Sequence, residues 1–214
     1  MIVAKLLSDS VFDLVVIPAK MRRGIPSPVI AQMLGTLAGV SSQFVALKAL
    51  QDKDPAYTAL ATPLFTLGGK DGETYLFGDA INRPVLESPY SVWALVGGIT
   101  QHMGKPVPDV EAIAASIAGR IGEPDFDRSP DLPPDAPRAR DALPLAGLIG
   151  RFRHELPSDH LPAVFALAYQ RMVQTDNDAD PSVDVVQCAR VMMHSTIAMS
   201  KLRHDLGVLT PATV

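Results

Sequence analysis

An uncharged stretch, residues 29–47, constrains the fold of this chain more than any other feature. A helix that is apolar around its whole circumference must be surrounded, either by lipid or by other parts of the protein. Polar residues interrupt the stretch, and each would be costly in the middle of a bilayer. These residues are Gln32, Thr36, Ser41, Ser42 and Gln43. We therefore predict a helix over residues 28–51 that is buried in protein, and we do not expect membrane contact.

Small residues recur at every fourth position of the same segment, namely Ala31, Gly35 and Gly39. Glycine inside a helix costs up to about 1 kcal/mol relative to alanine, so two glycines on one stripe need a compensating contact. Small side chains let a second backbone approach closely, and a ligand lying against the stripe is the alternative. We predict that another helix packs closely along this stripe.

Pairs of a capping residue and a following proline predict where several helices begin. These pairs are Ser27-Pro28, Asp54-Pro55, Ser88-Pro89 and Asp180-Pro181. Together with weaker signals, they predict about eight helices, over residues 2–17, 28–51, 55–61, 89–103, 110–121, 144–154, 161–175 and 181–205. Left-handed glycines are expected near helix ends at Gly24, Gly122 and Gly207. The predicted fold is a single, mainly α domain that spans residues 1–214.

Residues 64–77 have the apolar alternation of a β-hairpin, around a turn at Lys70-Asp71-Gly72. Large apolar side chains fall on both faces, and a lone two-stranded hairpin is marginally stable in water. Its edges also leave backbone N–H and C=O groups unpaired. We therefore predict a homodimer in which the hairpin and residues 82–93 contribute to the interface, by continuing the sheet across a two-fold axis. The alternative is a hairpin clamped between helices of its own chain.

Residues 123–141 contain five prolines and six acidic residues against three arginines. Proline lacks the N–H that a helix interior requires, so the segment cannot continue a helix. We predict an internal surface loop or linker, laid over one continuous core. Such a loop should be exposed and poor in backbone hydrogen bonds, and proteases should cut it first.

Charge and cysteine content exclude several classes of protein. The net charge of −4 and the pI near 5.7 do not fit a nucleic-acid-binding protein. Cys188 is the only cysteine, which excludes an intrachain disulfide and favours a cytoplasmic location. We expect Cys188 to be buried and inert. His194 shares a polar helical stripe with Asp184, Gln187 and Lys201, and we expect it to be solvated.

No stretch matches a catalytic or cofactor-binding signature, so we predict no cofactor. The sequence HELPSDH, residues 154–160, places His154 and His160 six positions apart, with Pro157 between them. Zinc proteases instead use two histidines four apart on one helix. DNDAD, residues 176–180, lacks the glycine and the glutamate that a calcium loop requires. We therefore predict no metal site.

One group of residues remains as a candidate site, on the hairpin and on the elements that follow it. Its members are Tyr75, Phe77, Asp79, Asn82, Arg83, Trp93, Gln101 and His102. Asp79 and Arg83 can form an acid–base or carboxylate-binding pair, and a histidine such as His102 titrates near neutral pH. The alternative is structural, because turns attract Asp and Asn and because Arg83 can pair with a nearby carboxylate.

These features predict a non-catalytic, cytoplasmic binding protein that self-associates or binds a protein partner or an apolar small ligand. The alternative is a small-molecule enzyme or ligand sensor with a site around Asp79, Arg83, Trp93 and His102. A third hypothesis is peripheral membrane attachment through the apolar face of the first helix. An enclosed pocket where Arg83 and His102 meet would favour the enzyme, whereas an exposed apolar surface or a symmetric interface would favour the binding protein.

Overall fold

Most of the chain that the computed structural model describes, residues 2–155 and 160–204, is helical. The α-helices are α1 (Ile2–Val11), α2 (Ile17–Arg23), α3 (Ser27–Gln51), α4 (Pro55–Thr58), α5 (Asp79–Asn82), α6 (Val92–His102), α7 (Val110–Arg120), α8 (Gly147–Phe152), α9 (Leu161–Ala179) and α10 (Val185–Lys201). Two π-helical segments, Phe12–Val16 and Arg83–Glu87, and a 3-10 segment, Ala139–Ala146, adjoin these helices. Strands β1 (Phe65–Gly68) and β2 (Thr74–Phe77) form an antiparallel hairpin. The predicted mainly α fold with one hairpin is confirmed.

Helix α3 lies at the centre of the fold, as its uncharged sequence predicted. It packs against α9, α10 and the 3-10 segment. Its length and hydropathy would suffice to cross a membrane, but 89% of its most apolar 18-residue window is buried inside the protein. Its polar side chains have partners there, since Thr36 Oγ1 donates to the Ala139 carbonyl at 2.9 Å and Gln43 Nε2 donates to the Met199 carbonyl at 2.7 Å.

The glycine stripe of α3 faces α10, which confirms the predicted close helix packing. A Cβ atom added to Gly35 would lie 2.5 Å from the Met192 carbonyl oxygen, and one added to Gly39 would lie even closer to the Thr196 carbonyl oxygen. Protein interiors are too densely packed to absorb such contacts. The separation between the two helices therefore depends on the missing side chains.

The capping signals predicted two helix starts correctly. Asp54 Oδ1 accepts from the Ala56 N–H at 2.8 Å and caps α4. Helix α3 begins at Ser27, at the predicted pair. The other two starts were wrong, because α6 begins at Val92 and α10 begins at Val185. Ser91 and Asp184, a few positions beyond the predicted caps, accept the free N–H groups of α6 and α10, so the prolines before them lie in turns.

The first helix continues past its predicted end, because the π-helical segment leads directly into α2. Pro18 lies in the first turn of α2, where its missing N–H is tolerated. Gly24 then ends the helix with a left-handed φ of 58°, as predicted. Gly122, just after α7, also has a positive φ, of 84°. Gly207 lies outside the described residues.

Residues 123–141 combine exposed positions, such as Pro133 and Pro134, with positions that are anchored to the helices. Phe126 and Leu132 are buried, and Arg190 of α10 forms an ion pair with Asp131 at 2.9 Å. The prolines exclude a helix, as predicted, but the side chains between them supply contacts that composition does not reveal. Limited proteolysis remains the measurement that tells whether this segment is cut first.

Candidate functional site

The two strands of the hairpin have opposite environments. Tyr75 and Leu76 of β2 are buried, whereas every residue of β1 is exposed. Phe65 stacks on Phe77 with ring centroids 5.6 Å apart, and Leu67 lies opposite Tyr75. The hairpin therefore covers the helical core with β2 and presents β1 outward.

Tyr75 is fixed by its neighbours and is not free to bind another molecule. Its hydroxyl donates to Asp71 Oδ2 at 2.5 Å, and its ring lies edge-on to Phe126 at 5.2 Å. Burial and the adjacent carboxylate raise the pKa of Tyr75 well above its ordinary value. The same hydrogen bond lowers the pKa of Asp71. This pair stabilises the turn of the hairpin.

The two edges of the hairpin also differ. Along β2, the Arg203 N–H donates to the Thr74 carbonyl at 2.8 Å, and Leu202 forms an antiparallel bridge with Tyr75. Along β1, no strand other than β2 is paired within residues 2–155 and 160–204. One edge is therefore closed by the chain itself, and the other remains open.

The hydrogen-bond alternation of the hairpin shows which backbone groups face the open edge. Gly69 N–H donates to the Glu73 carbonyl at 2.8 Å, next to the turn. Bonded and non-bonded pairs alternate along an antiparallel ladder, so Leu67 is bonded to β2 and its neighbours are not. The N–H and C=O groups of Thr66 and Gly68 therefore point away from β2.

Asp79 and Arg83 of the predicted site make structural contacts. Asp79 Oδ2 accepts from the Thr62 N–H at 3.0 Å. An Arg83 NH group donates to the Ala56 carbonyl at 2.7 Å, and its guanidinium lies 5.2 Å from the centroid of the Tyr57 ring. Both side chains hold the connection between α4 and β1 against the start of α5.

Lys201, which no sequence pattern indicated as a site residue, lies between Asn82 and Phe77. Its Nζ donates to Asn82 Oδ1 at 2.8 Å and lies 5.4 Å from the centroid of the Phe77 ring. Burial lowers the pKa of Lys201 to about 8, although Glu87 opposes this shift. The one available signal was its position, directly after the apolar stretch of α10.

The remaining members of the predicted site lie on α6. Trp93 is half-buried and packs against the core. Gln101 and His102 are exposed at the C-terminal end of the helix. His102 is therefore exposed to solvent, whereas Arg83 donates to the Ala56 carbonyl of α4.

A groove of about 510 Å³ lies between α7 and α10, and no sequence pattern predicted it. His194 lines this groove and is only 3% exposed, so the prediction that it is solvated was wrong. Burial lowers its pKa to about 4, and the positive charge of Arg120 acts in the same direction. The prediction was wrong because it rested on the polar residues that share this face of α10. Helix α7 packs against the same face and shields it from solvent.

The other titratable groups that the sequence singled out have ordinary structural roles. Cys188 is fully buried, as expected, and burial raises the pKa of its thiol to about 12. His154 Nε2 accepts from Arg153 Nε at 3.0 Å, and the His160 ring lies edge-on to Tyr90. Pro157 and Asp159 fall outside the described residues. Within the ranges that the structure describes, no cluster of three or more metal-ligating side chains is present.

Comparisons with protein-family models, with curated proteins and with solved structures found no match to this chain. Function is therefore inferred from a physical feature of the fold, the open edge of β1.

Proposed function

We propose that this protein acts by binding rather than by catalysis, and that its binding surface is the open edge of β1. The observation that supports this proposal is the exposure of apolar side chains beside unpaired backbone: Phe65 is 44% exposed and Leu67 is 49% exposed. Natural edge strands are usually protected by charged residues, prolines or bulges. Strand β1, with the sequence FTLG, contains neither a charge nor a proline.

The partner that we propose is β1 of a second copy, running antiparallel across a two-fold axis at Thr66. In this register the outward N–H and C=O groups of Thr66 bond to the same groups of the second copy. Leu64 of each copy then pairs with Gly68 of the other. The two hairpins join into one continuous sheet, and the open edge disappears.

Side-chain complementarity favours a second copy over an unrelated peptide. In the same register, Phe65 of each copy lies beside Leu67 of the other, on one face of the joined sheet. A slip of one residue would place these apolar groups on opposite faces. The strand is therefore complementary to itself in one register.

The contacts of the acid–base candidates support binding over the enzyme alternative. Asp79 accepts a backbone N–H and Arg83 donates to a backbone carbonyl, so both are engaged in holding the fold. A general acid or base must instead reach a substrate proton. We therefore assign these side chains to the support of the hairpin.

Thr66→Pro is expected to convert the dimer into a folded monomer in sedimentation equilibrium. Proline removes the one N–H that Thr66 offers to a second copy, and it spares the hydrogen bonds between β1 and β2, because Thr66 does not bond to β2. The matched variant Thr66→Val keeps the N–H and should remain dimeric. A wild-type protein that is monomeric at high micromolar concentration would refute the proposal. A Thr66→Pro variant that dimerises as tightly as the wild type would also refute it.

A further inference from the structure

We propose that the outward face of the first helix is a second contact between copies of this chain, in which two such helices pair antiparallel about a two-fold axis at Ser10. This contact is separate from the β1 edge and does not depend on it. It would join the β1-linked dimers into larger assemblies.

The first helix has two apolar faces, and only one of them is covered. The face that carries Leu7, Val11 and Val15 is buried in the core. The opposite face carries large apolar side chains that are between 37% and 82% exposed. These residues form the outer stripe of the helix, and they are Ile2, Leu6, Leu14, Ile17 and Met21. A run of exposed apolar side chains of this length is typical of an interaction surface.

The π-helical segment Phe12–Val16 keeps the outer stripe in line. Along an α-helix, positions four apart rotate by about 40° around the axis, so a stripe with that spacing drifts sideways. A π-helix holds more residues in each turn, so this segment reverses the drift between Leu6 and Ile17. Single π-helical turns of this kind are frequent at functional sites.

The outer stripe matches itself when a second copy lies antiparallel. With the two-fold axis at Ser10, Leu6 of each copy faces Leu14 of the other, and Val3 of each copy faces Ile17 of the other. Ser10 has a small side chain, so the two helices can approach closely where they cross. Apolar side chains therefore meet apolar side chains on both sides of the axis.

A pocket beside the outer stripe receives the end of the second helix. Its volume is about 190 Å³, and it is lined by apolar residues of the first helix, of α3 and of the 3-10 segment, including Pro18, Met33 and Leu145. In the antiparallel register, Ile2 of the second copy faces Pro18 and lies at the mouth of this pocket. Ile2 is 81% exposed in a single copy. An aliphatic side chain that enters an apolar pocket is a common anchor of a protein interface.

Charge complementarity favours a second copy and this direction. Lys5 and Asp13 are exposed, and each directly precedes a leucine of the outer stripe, so both lie on the same flank of the helix. An antiparallel two-fold axis brings this flank of one helix beside the same flank of the other. Lys5 of each copy then lies beside Asp13 of the other, as the flanking charges of a coiled coil do. Symmetry makes two such pairs, which an unrelated apolar surface would not supply.

Sedimentation equilibrium from about 10 µM to about 1 mM tests the contact, because one helix pair is a small and therefore weak interface. The mass of the wild type should rise above that of a dimer toward the upper end of this range. Thr66→Pro, which lacks the β1 contact, should change from a monomer to a dimer. Leu6→Asp should remain a dimer throughout. Val107→Asp changes an exposed apolar residue on another surface, and it should behave like the wild type.

The outcomes separate this contact from the β1 edge. A wild-type mass that stops at the dimer would overturn the helix contact and leave the β1 proposal standing. A weak dimer that Leu6→Asp abolishes and Thr66→Pro preserves would support the helix contact and overturn the β1 proposal. A wild type that stops at the dimer and floats with phosphatidylcholine vesicles, when Leu6→Asp does not, would show that a bilayer covers the outer stripe instead.

An exchange of charges identifies the antiparallel register. Lys5→Glu and Asp13→Lys should each weaken the helix contact about tenfold, because each places like charges beside one another, and the double variant should restore it. The two residues are about two helical turns apart within one chain, so the recovery must come from contact between copies. Single variants that associate like the wild type, or a double variant that stays weak, would overturn the proposal.

Discussion

Gly39→Ala should destabilise the protein by about 3 kcal/mol, although alanine is the better helix former. A Cβ atom at this position would contact the Thr196 carbonyl oxygen and lie 2.9 Å from the Ser200 nitrogen. Both are backbone atoms of α10, so no side-chain rotation can relieve the contact. Helices α3 and α10 would have to separate along the most extensive helix–helix contact of the fold.

Urea unfolding followed by circular dichroism measures this loss, and Gly98→Ala is the matched control. Gly98 also lies inside a helix, α6, but a Cβ atom there meets nothing within 4 Å. The control should therefore be as stable as the wild type or more stable, by up to about 1 kcal/mol. A Gly39→Ala protein of wild-type stability would show that the two helices do not approach as closely as described.

Acidification from about pH 7 to about pH 4 should destabilise the protein by about 3 kcal/mol through His194 alone. Burial lowers the folded-state pKa of His194 from 6.5 to about 4. Between these values the unfolded state binds more protons than the folded state, so the free energy of unfolding falls as the pH falls. The contribution of neutral His194 to stability is fully present above pH 6.5, the pKa of the unfolded state. It is lost as the pH falls toward about 4, the pKa of the folded state.

Urea unfolding of the wild type and of His194→Gln across this pH range measures how much His194 contributes to the free energy of unfolding. Glutamine keeps a polar side chain but does not titrate, so the variant should lose less stability on acidification. His204 is half-buried, and burial lowers its pKa to about 4, so part of the pH dependence should remain. The exposed control His102→Gln should keep the wild-type dependence. An unchanged pH dependence in His194→Gln would contradict the burial of a neutral imidazole.

The parts of the fold that the sequence predicted depend on local patterns. The uncharged residues 29–47 predicted a helix that is buried inside the protein. The spacing of its glycines predicted a second helix packed closely against it. The alternation around Asp71-Gly72 required a hairpin. Each of these conclusions needs only the side chains of one segment, because helix and strand periodicity are local properties.

The parts that the sequence could not predict depend on residues far apart in the chain. Lys201 is 119 positions from Asn82, to which it donates. His194 is buried because α7 packs against α10, and the helical stripe of α10 carries no information about that contact. The misplaced helix starts have a different cause, since serine and aspartate stabilise turns as readily as helix caps.

The candidate site was predicted only in part for the same reason. The sequence identified the hairpin and its apolar residues, but not which strand faces outward. That depends on the contact of Tyr75 with Phe126 and on the pairing of Leu202, both of which are distant in sequence. Turn residues such as Asp79 were ambiguous, because a turn and an active site favour the same side chains.

Amide hydrogen exchange at Thr66 and Gly68 tests most directly whether the β1 edge pairs with a second copy. In the concentrated wild-type protein both amides should be protected, because they donate across the proposed interface. In Thr66→Pro the Gly68 amide should exchange as fast as an exposed loop, while the Leu67 amide, which bonds to β2, stays protected. Fast exchange of the Thr66 and Gly68 amides in the concentrated wild type would contradict the proposed function.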